Sequence, residues 1–397
     1  LLLAAVPLAA PGTGLVPSAV GGGPDWLLGI FGDGTGIGDG PYLAFLWVAF
    51  VAYVCVLLGA PQLGRGLLWS VIAVLVLAFA LAPPLLSQDV FSYISYARLG
   101  ADHGLNPYLN APSQFAGDPA FIHVGWRHAV SAYGPLFTLL SYPLGSVPVW
   151  AALWLLKLAS AASVLGIAAL AARLAPARGV DPRTAAAFVA LNPLVLVHVV
   201  GGAHNDGLMM LLAMAGVAGV LTLGEGAGAA ALLASAAIKI SALFLAPFAL
   251  IGSPRRGRFL LGATVAIALL AAAGLLAFGP HFFEAIGLAG ENQDRESHRS
   301  IPYIASQLTG AGGGAARAVA LALYAVAVAW LLRWAWRGAD WVRAAGWAGL
   351  GLLLASGWVL PWYGIWPLPL AAISRDRLLT LGMLAFTALH LATRVPL

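Results

Sequence analysis

The sequence predicts an all-α polytopic membrane protein, and three observations carry that prediction. Only 9% of the 397 residues are charged and 61% are apolar, where a soluble domain carries roughly 25% and about 45–50%. The apolar residues gather in unbroken stretches of roughly 20, the length a helix needs to cross a bilayer. They do not alternate with period two, which argues against an outer-membrane barrel. The same composition excludes a soluble globular enzyme and a disordered chain.

In chain order the apolar runs fall near 1–10, 41–60, 67–86, 134–147, 149–172, 184–200, 205–223, 228–251, 259–279, 315–332, 344–360, 362–373 and 378–393. They are expected to form one integral membrane domain over 1–397, with about 11–13 transmembrane or re-entrant helices. The chain opens on Leu-Leu-Leu without Met, so the run 1–10 is expected to be a shortened span. Short basic loops set the sides. Arg65, the Arg173–Arg183 group, the Arg255–Arg258 group, the Arg333–Arg343 group and the pair Arg375 and Arg377 belong in the cytoplasm. The long polar loops 11–40, 87–133 and 280–314 then lie outside.

One run breaks the alternation. The loop before 228–251 and the Arg255 cluster after it both belong in the cytoplasm, so a single crossing would invert every later loop. A broken, re-entrant pair of half-helices around Lys239 removes the conflict, because such breaks are tolerated where they line a cavity. Segment 134–147 is expected to be re-entrant on the outer side, since Pro135, Pro143 and Pro148 oppose a clean span. Segment 362–373 is short for a crossing.

This topology sorts the polar residues. Asp181, Glu225, Asp340 and Asp376 are cytoplasmic; the remaining acids and all eight His fall outside or at outer helix ends. Groups that titrate near neutral pH are thus concentrated on one face. The basic balance is a topology signal and not a nucleic-acid surface: there are 18 Arg against two Lys, and both Lys lie inside apolar runs. Lys157 is expected to snorkel toward the outer end of its span. The single cysteine, Cys55, permits no disulfide within the chain.

The first large outer loop opens with an amphipathic helix over Ser87–Leu99, with apolar positions at 90, 91, 94 and 97 and polar ones at 92, 95 and 98. Asp89 stands at its N-terminal end. It is either a helix cap, a job Ser87 can also fill, or a general base at the membrane surface. Aromatic rings beside Asn, His and Asp suit a sugar, with rings on the pyranose face and polar groups on its hydroxyls; they also suit an interfacial aromatic belt. Gln88, Tyr93, Arg98, Asn106, Tyr108, His123 and Tyr133 are the candidates here. A second cluster, His204-Asn205-Asp206, lies between two apolar runs; Asp206 is either a helix cap or a functional group. Lys239 is mid-membrane and needs an acid or an anion as partner. In the polar stretch Glu291–Ser300, His298 and Arg299 are candidates on a lid, and Trp362 and Tyr363 form an aromatic turn at an outer helix end. No Walker loop, dinucleotide fingerprint, HExxH or CxxC occurs, and no metal is expected.

These features resemble the GT-C superfamily of integral membrane glycosyltransferases. The runs Gln88-Asp89-Val90-Phe91-Ser92-Tyr93, Gly104-Leu105-Asn106-Pro107-Tyr108, Tyr133-Gly134-Pro135-Leu136, Asn192-Pro193-Leu194 and Gly202-Ala203-His204-Asn205-Asp206 are similar in order and spacing to the actinobacterial polyprenol-phosphomannose-dependent α-(1→6)-mannosyltransferases. The resemblance implies a GT-C-like bundle in the plasma membrane with its active site on the extracytoplasmic side. It implies a polyprenyl-phosphate-mannose donor, a lipoglycan acceptor of the lipomannan and lipoarabinomannan type, inversion at the anomeric carbon and no cofactor. By resemblance the catalytic base is Asp89. Lys239, Arg299 and His204 are the candidates for the donor phosphate. Two alternatives remain: a related enzyme moving another polyprenyl-phosphate sugar, and a lipid or sugar transporter. Against the transporter stand the absence of internal repeats and the length of loop 87–133.

Overall fold

The computed structural model describes residues 15–18, 20–23, 39–222, 224–391 and 393. The run 1–10 and most of loop 11–40 lie outside the described residues. In order, the helices are α1 (Asp39–Gly59), α2 (Arg65–Leu81), α3 (Asp89–Ala101), α4 (Pro135–Ser141), α5 (Val149–Leu174), α6 (Pro182–Ala190), α7 (Asp206–Leu221), α8 (Glu225–Ile238), α9 (Ala246–Gly252), α10 (Arg256–Phe278), α11 (Glu284–Glu291), α12 (Ile301–Thr309), α13 (Gly313–Trp336), α14 (Trp341–Ala355), α15 (Leu368–Ala372) and α16 (Arg377–His390). The protein is an all-α polytopic membrane protein. Among the described residues four helical stretches are long and apolar enough to span, Gly40–Gln62, Val149–Leu174, Arg256–Leu288 and Gly313–Trp336, and several shorter apolar helices accompany them.

The outer surface is apolar. Val51 and Leu58 on α1, Leu276 on α10, and Leu323 and Val326 on α13 are all exposed, which water would oppose and lipid tails accept. Inside, small residues let helices touch. A Cβ on Gly228 would lie 2.8 Å from the Gly216 carbonyl oxygen, joining α7 to α8. One on Gly262 would lie 2.2 Å from the Gly226 carbonyl oxygen, joining α8 to α10. Close backbone approach through glycine is the usual basis of helix association in lipid, where apolar burial gives no advantage.

The arginine-bearing turns gather at one end. Arg183 donates to the Leu63 carbonyl at 3.0 Å, Arg178 pairs with Asp340, and Arg343 pairs with Asp376 at 2.5 Å. Three of the four acids there are helix caps: Asp181 opens α6, Asp340 opens α14 and Asp376 opens α16, each worth about 1 kcal/mol. α2 and α5 run between this end and the end that carries α3.

Several elements differ from the sequence expectation or add detail to it. The run 184–200 is bent by 61° between α6 and a π-helical turn, Val195–Gly201. Pro193 supplies no N–H there, which interrupts the helical ladder; the Asn192 side chain accepts from the Leu194 N–H at 2.9 Å and donates to Thr387 at 3.0 Å. α3 forms, but Ser92, Ser95 and Tyr96 on its polar side are buried, because residues 102–133 fold over that face where water was expected. Lys157 does not snorkel. It is buried and donates to the Gly201 carbonyl at 2.6 Å, satisfying a π-turn oxygen. Segment 134–147 is the seven-residue α4 and a following tight turn. Loop 280–314 contains α11 and α12. At Lys239 the chain leaves α8 in extended conformation, φ −153° and ψ 123°, and returns through Ile240–Gly252 toward Trp341.

Candidate active site

The start of α3, the loop that covers it, the break at Lys239 and the aromatic turn at 361–366 meet around one cavity of about 170 Å³, with the buried turn before α7 packed behind its wall. Ser87 Oγ accepts the Asp89 N–H at 3.2 Å, so the hydroxyl serves the helix end. The Asp89 carboxylate turns to the overlying loop: Trp126 Nε1 donates to Oδ1 at 2.9 Å, and His204 Nδ1 lies 3.6 Å from Oδ2. His204 is buried and stacked on Trp362, ring centroids 3.6 Å apart.

Below this pair lies a second one. Asp206 is fully buried, and Lys239 Nζ is 2.9 Å from both its oxygens. Trp366 Nε1 donates to Asp206 Oδ1 at 2.7 Å. Lys239 Nζ also sits 4.6 Å from the Tyr363 ring centre, a cation–π contact that helps hold the amine at the cavity wall. Asp206 is therefore the acid that pairs with Lys239, and the helix-cap reading of Asp206 gives way: no side-chain cap bond opens α7.

The local backbone is held by force. Leu86, three residues before Asp89, and Ala203, next to His204, have φ of 57° and 55°. They are two of the three non-glycine residues in the left-handed region among those described. Each costs roughly 1–3 kcal/mol, and such strain clusters at functional sites. The π-turn before Ala203 is fixed by Lys157 on Gly201 and by Ser160 Oγ on the Val199 carbonyl at 2.6 Å.

The structure thus brings together Asp89, His204, Asp206, Lys239, Tyr133, Trp362 and Tyr363. Asn205 and Tyr93 stand behind them, with Tyr93 OH donating to Asn205 Oδ1 at 3.5 Å and its ring edge-on to Tyr133 at 4.9 Å. Other candidates lie elsewhere. Gln88 Nε2 faces the Pro17 carbonyl at 3.4 Å. Asn106 ties the loop to the end of α10 by donating to Phe278 O at 2.8 Å, and Tyr108 is buried, bonded to Tyr133 O at 2.9 Å. Arg98 is held by Asp118 and Asp102, and His123 by Ser18. His298 stacks on Tyr303, and Arg299 donates to the Leu389 carbonyl at 3.3 Å, so neither lines the cavity.

Trp126, Arg295 and Trp366 are not among the candidate residues read from the sequence, although Trp126 lies in the aromatic loop and Arg295 in the polar stretch 291–300. Arg295 lines the cavity, 4.7 Å above the Trp126 ring, with Nε donating to Asn292 Oδ1 at 3.2 Å. Trp362 lies in a tight 3₁₀ turn, Pro361–Ile365, and Trp366 directly after it, and both rings line the cavity. Nothing local distinguishes Arg295 from Arg299. In the loop, burial raises the Asp118 carboxyl pKa, but bonds from His103, the Ala120 N–H and Arg98 outweigh it, and the net shift is downward. Among the described residues no three His, Cys, Asp or Glu side chains converge as metal ligands would.

A family model described as "Alpha-(1->6)-mannopyranosyltransferase, N-terminal domain" matches residues 40–253. Alpha-(1->6)-mannopyranosyltransferase A of Mycobacterium tuberculosis is 30% identical over 325 residues, 74% of this chain and 62% of the relative. A second alpha-(1->6)-mannopyranosyltransferase of that organism is 34% identical over 148 residues, 36% of this chain and 25% of the relative. Alpha-(1->6)-mannopyranosyltransferase A of Corynebacterium glutamicum is 27% identical over 188 residues, 46% and 38% of the two chains. The chain spans less than two thirds of the length of these curated relatives. No solved structure matches. With the match reaching across α1 to α9, and so across Asp89, His204, Asp206 and Lys239, this chain belongs to the actinobacterial α-(1→6)-mannopyranosyltransferase family.

Proposed function

We propose that the protein transfers mannose from a polyprenyl-phosphate donor to the 6-hydroxyl of an α-(1→6)-mannan lipoglycan, at the extracytoplasmic face of the plasma membrane, with inversion. The observation that carries this reading is the Asp89 carboxylate, held by Trp126 and His204 at the wall of a cavity that adjoins an apolar groove. The groove, about 220 Å³, is lined by Gly134, Leu233, Phe282, Phe283 and Ile286, and shares Ala132 and Ile240 with the cavity. An isoprenoid chain fits that lining by apolar burial, and its phosphate then reaches the cavity end. The arginine-bearing turns at the opposite end favour a cytoplasmic orientation for that end and an outward-facing cavity.

In this reading Asp89 takes the proton of the acceptor 6-hydroxyl. The oxygen attacks the anomeric carbon on the face opposite the phosphate. The bond to the phosphate oxygen breaks, and its electron pair leaves with the lipid phosphate. A phosphate needs no protonation to leave, so cations replace a general acid. Lys239 is neutralised by Asp206 and orients the wall. Arg295 meets neutral groups, Asn292 and the Trp126 ring, and is the cation assigned to the phosphate. His204, stacked on Trp362, steadies Asp89 and not the phosphate. Incubation of the purified protein with radiolabelled polyprenyl phosphomannose and an α-(1→6)-mannoside tests the reading. Label in an acceptor lengthened by an α-(1→6)-linked mannose is expected; label that stays on the lipid, or passes from another lipid-linked sugar instead, contradicts it.

A further inference from the structure

A second cleft lies on the other side of the loop that covers α3. Its volume is about 640 Å³, and Arg98, Asp102, His123 and Trp150 contribute to its walls. Arg98 is nine residues beyond Asp89 on the same helix, which places it about 14 Å along the axis. Trp126 faces the reaction cavity from the loop, while Ile122 and His123 face the cleft. The two spaces thus share one partition but have no lining residue in common.

The cleft is built for a neutral polyol. Arg98 has its charge more than met inside the wall, by two carboxylates, Asp118 at 2.9 Å and Asp102 at 3.0 Å, and it donates to the Gly145 carbonyl at 2.7 Å. That arrangement leaves no excess cation for an anion and fixes the half-exposed Asp102 carboxylate as an acceptor of hydroxyl hydrogens. Ser18 holds His123 Nδ1 at 2.6 Å, so Nε2 is the nitrogen left for a hydroxyl. Burial lowers the pKa of this imidazole, which favours a neutral ring. Trp150 is covered on one side: a Cβ on Gly23 would lie 3.5 Å from its Cδ2 and Cε3 atoms. An indole backed on one face presents the other to the apolar face of a pyranose.

Resting on the mannosyltransferase reading, we infer that this cleft is a second carbohydrate site, which holds a stretch of α-linked mannan already built while the chain end reacts at Asp89. Its effect is on acceptor length. Long acceptors gain contacts at Asp102, His123 and Trp150 that a disaccharide acceptor cannot reach.

The test compares Trp150→Ala, Trp150→Phe and Asp102→Asn in the full chain, in nanodiscs. Acceptors are α-(1→6)-mannooligosaccharides from two to eight units. Trp150→Ala and Asp102→Asn are expected to raise KM for the longest acceptor about tenfold, a loss of roughly 1.4 kcal/mol, with kcat and the disaccharide KM unchanged. Trp150→Phe is expected to restore most of the loss, which shows that the fold is intact. Equal KM changes at every length, or none at any length, overturn the proposal. If the wild type transfers no mannose, the functional reading fails, and direct binding of the octasaccharide, read by tryptophan fluorescence, still decides the cleft: binding weakened by Trp150→Ala supports it, and binding that is absent or insensitive to Trp150→Ala overturns it.

Discussion

Trp126 and Asp89 lie 37 residues apart and are joined by one hydrogen bond, from the indole Nε1 to the carboxylate Oδ1 at 2.9 Å. Through it the covering loop aims the carboxylate, and the same indole carries Arg295 on its face at 4.7 Å. Replacing Trp126 by Phe keeps a ring under Arg295 and removes the donor. A hydrogen bond to a charged group is worth about 1.5–3 kcal/mol. Transfer kcat is expected to fall roughly 10–100-fold, with donor KM little changed. A fall in donor affinity alone would place Trp126 in binding and not in aiming the base.

Arg295 and Arg299 are four residues apart and differ in position: one lines the cavity, and the other reaches the Leu389 carbonyl. Arg295→Gln is expected to raise donor KM by about tenfold or more, the scale of one charge-assisted bond. Arg299→Gln is expected to leave it unchanged. Initial rates against polyprenyl phosphomannose concentration decide between them.

Lys239 and Asp206 form a pair whose acid has no solvent exposure. Removing one partner leaves a buried charge, at a cost of about 3–5 kcal/mol. Lys239→Met is therefore expected to lower the thermal unfolding midpoint sharply. The double variant Lys239→Met with Asp206→Leu is expected to regain most of that loss while transfer stays low. Equal instability of the single and double variants would show that packing, and not charge, is the issue.

Asp118 supplies a pH dependence. Its folded pKa lies below the unfolded value, so the unfolded state binds the proton more readily. The stabilisation is present above the unfolded value of about 3.9 and is lost as pH falls through the folded one. Loop 102–133 is expected to open on acidification below about pH 4, read by hydrogen exchange of its amides. Asp118→Asn is expected to remove that acid-dependent step.

Much of the bundle was legible because apolar runs and arginine turns are local signals, and α2, α5 and α10 follow them directly. The bend at Asn192-Pro193 was not, since the apolar pattern continues through it and only the Thr387 contact shows where the freed groups go. Snorkelling and inward bonding of Lys157 look alike in one dimension, and only the folded position of the Gly201 carbonyl distinguishes them. At the site, Asp89, His204 and Lys239 were visible as polar groups beside apolar runs. The placement of Trp126 and Arg295 was not, because it depends on how two separate loops, 102–133 and 280–314, fold over the cavity.

The Asp89 carboxylate is the proposed base. The most direct measurement of that role is single-turnover transfer by Asp89→Asn, an isosteric change that removes proton acceptance and keeps an oxygen for Trp126. A loss of about 10²–10⁴-fold is expected, with donor binding and the unfolding midpoint retained. Transfer at the wild-type rate by a folded Asp89→Asn protein would contradict it.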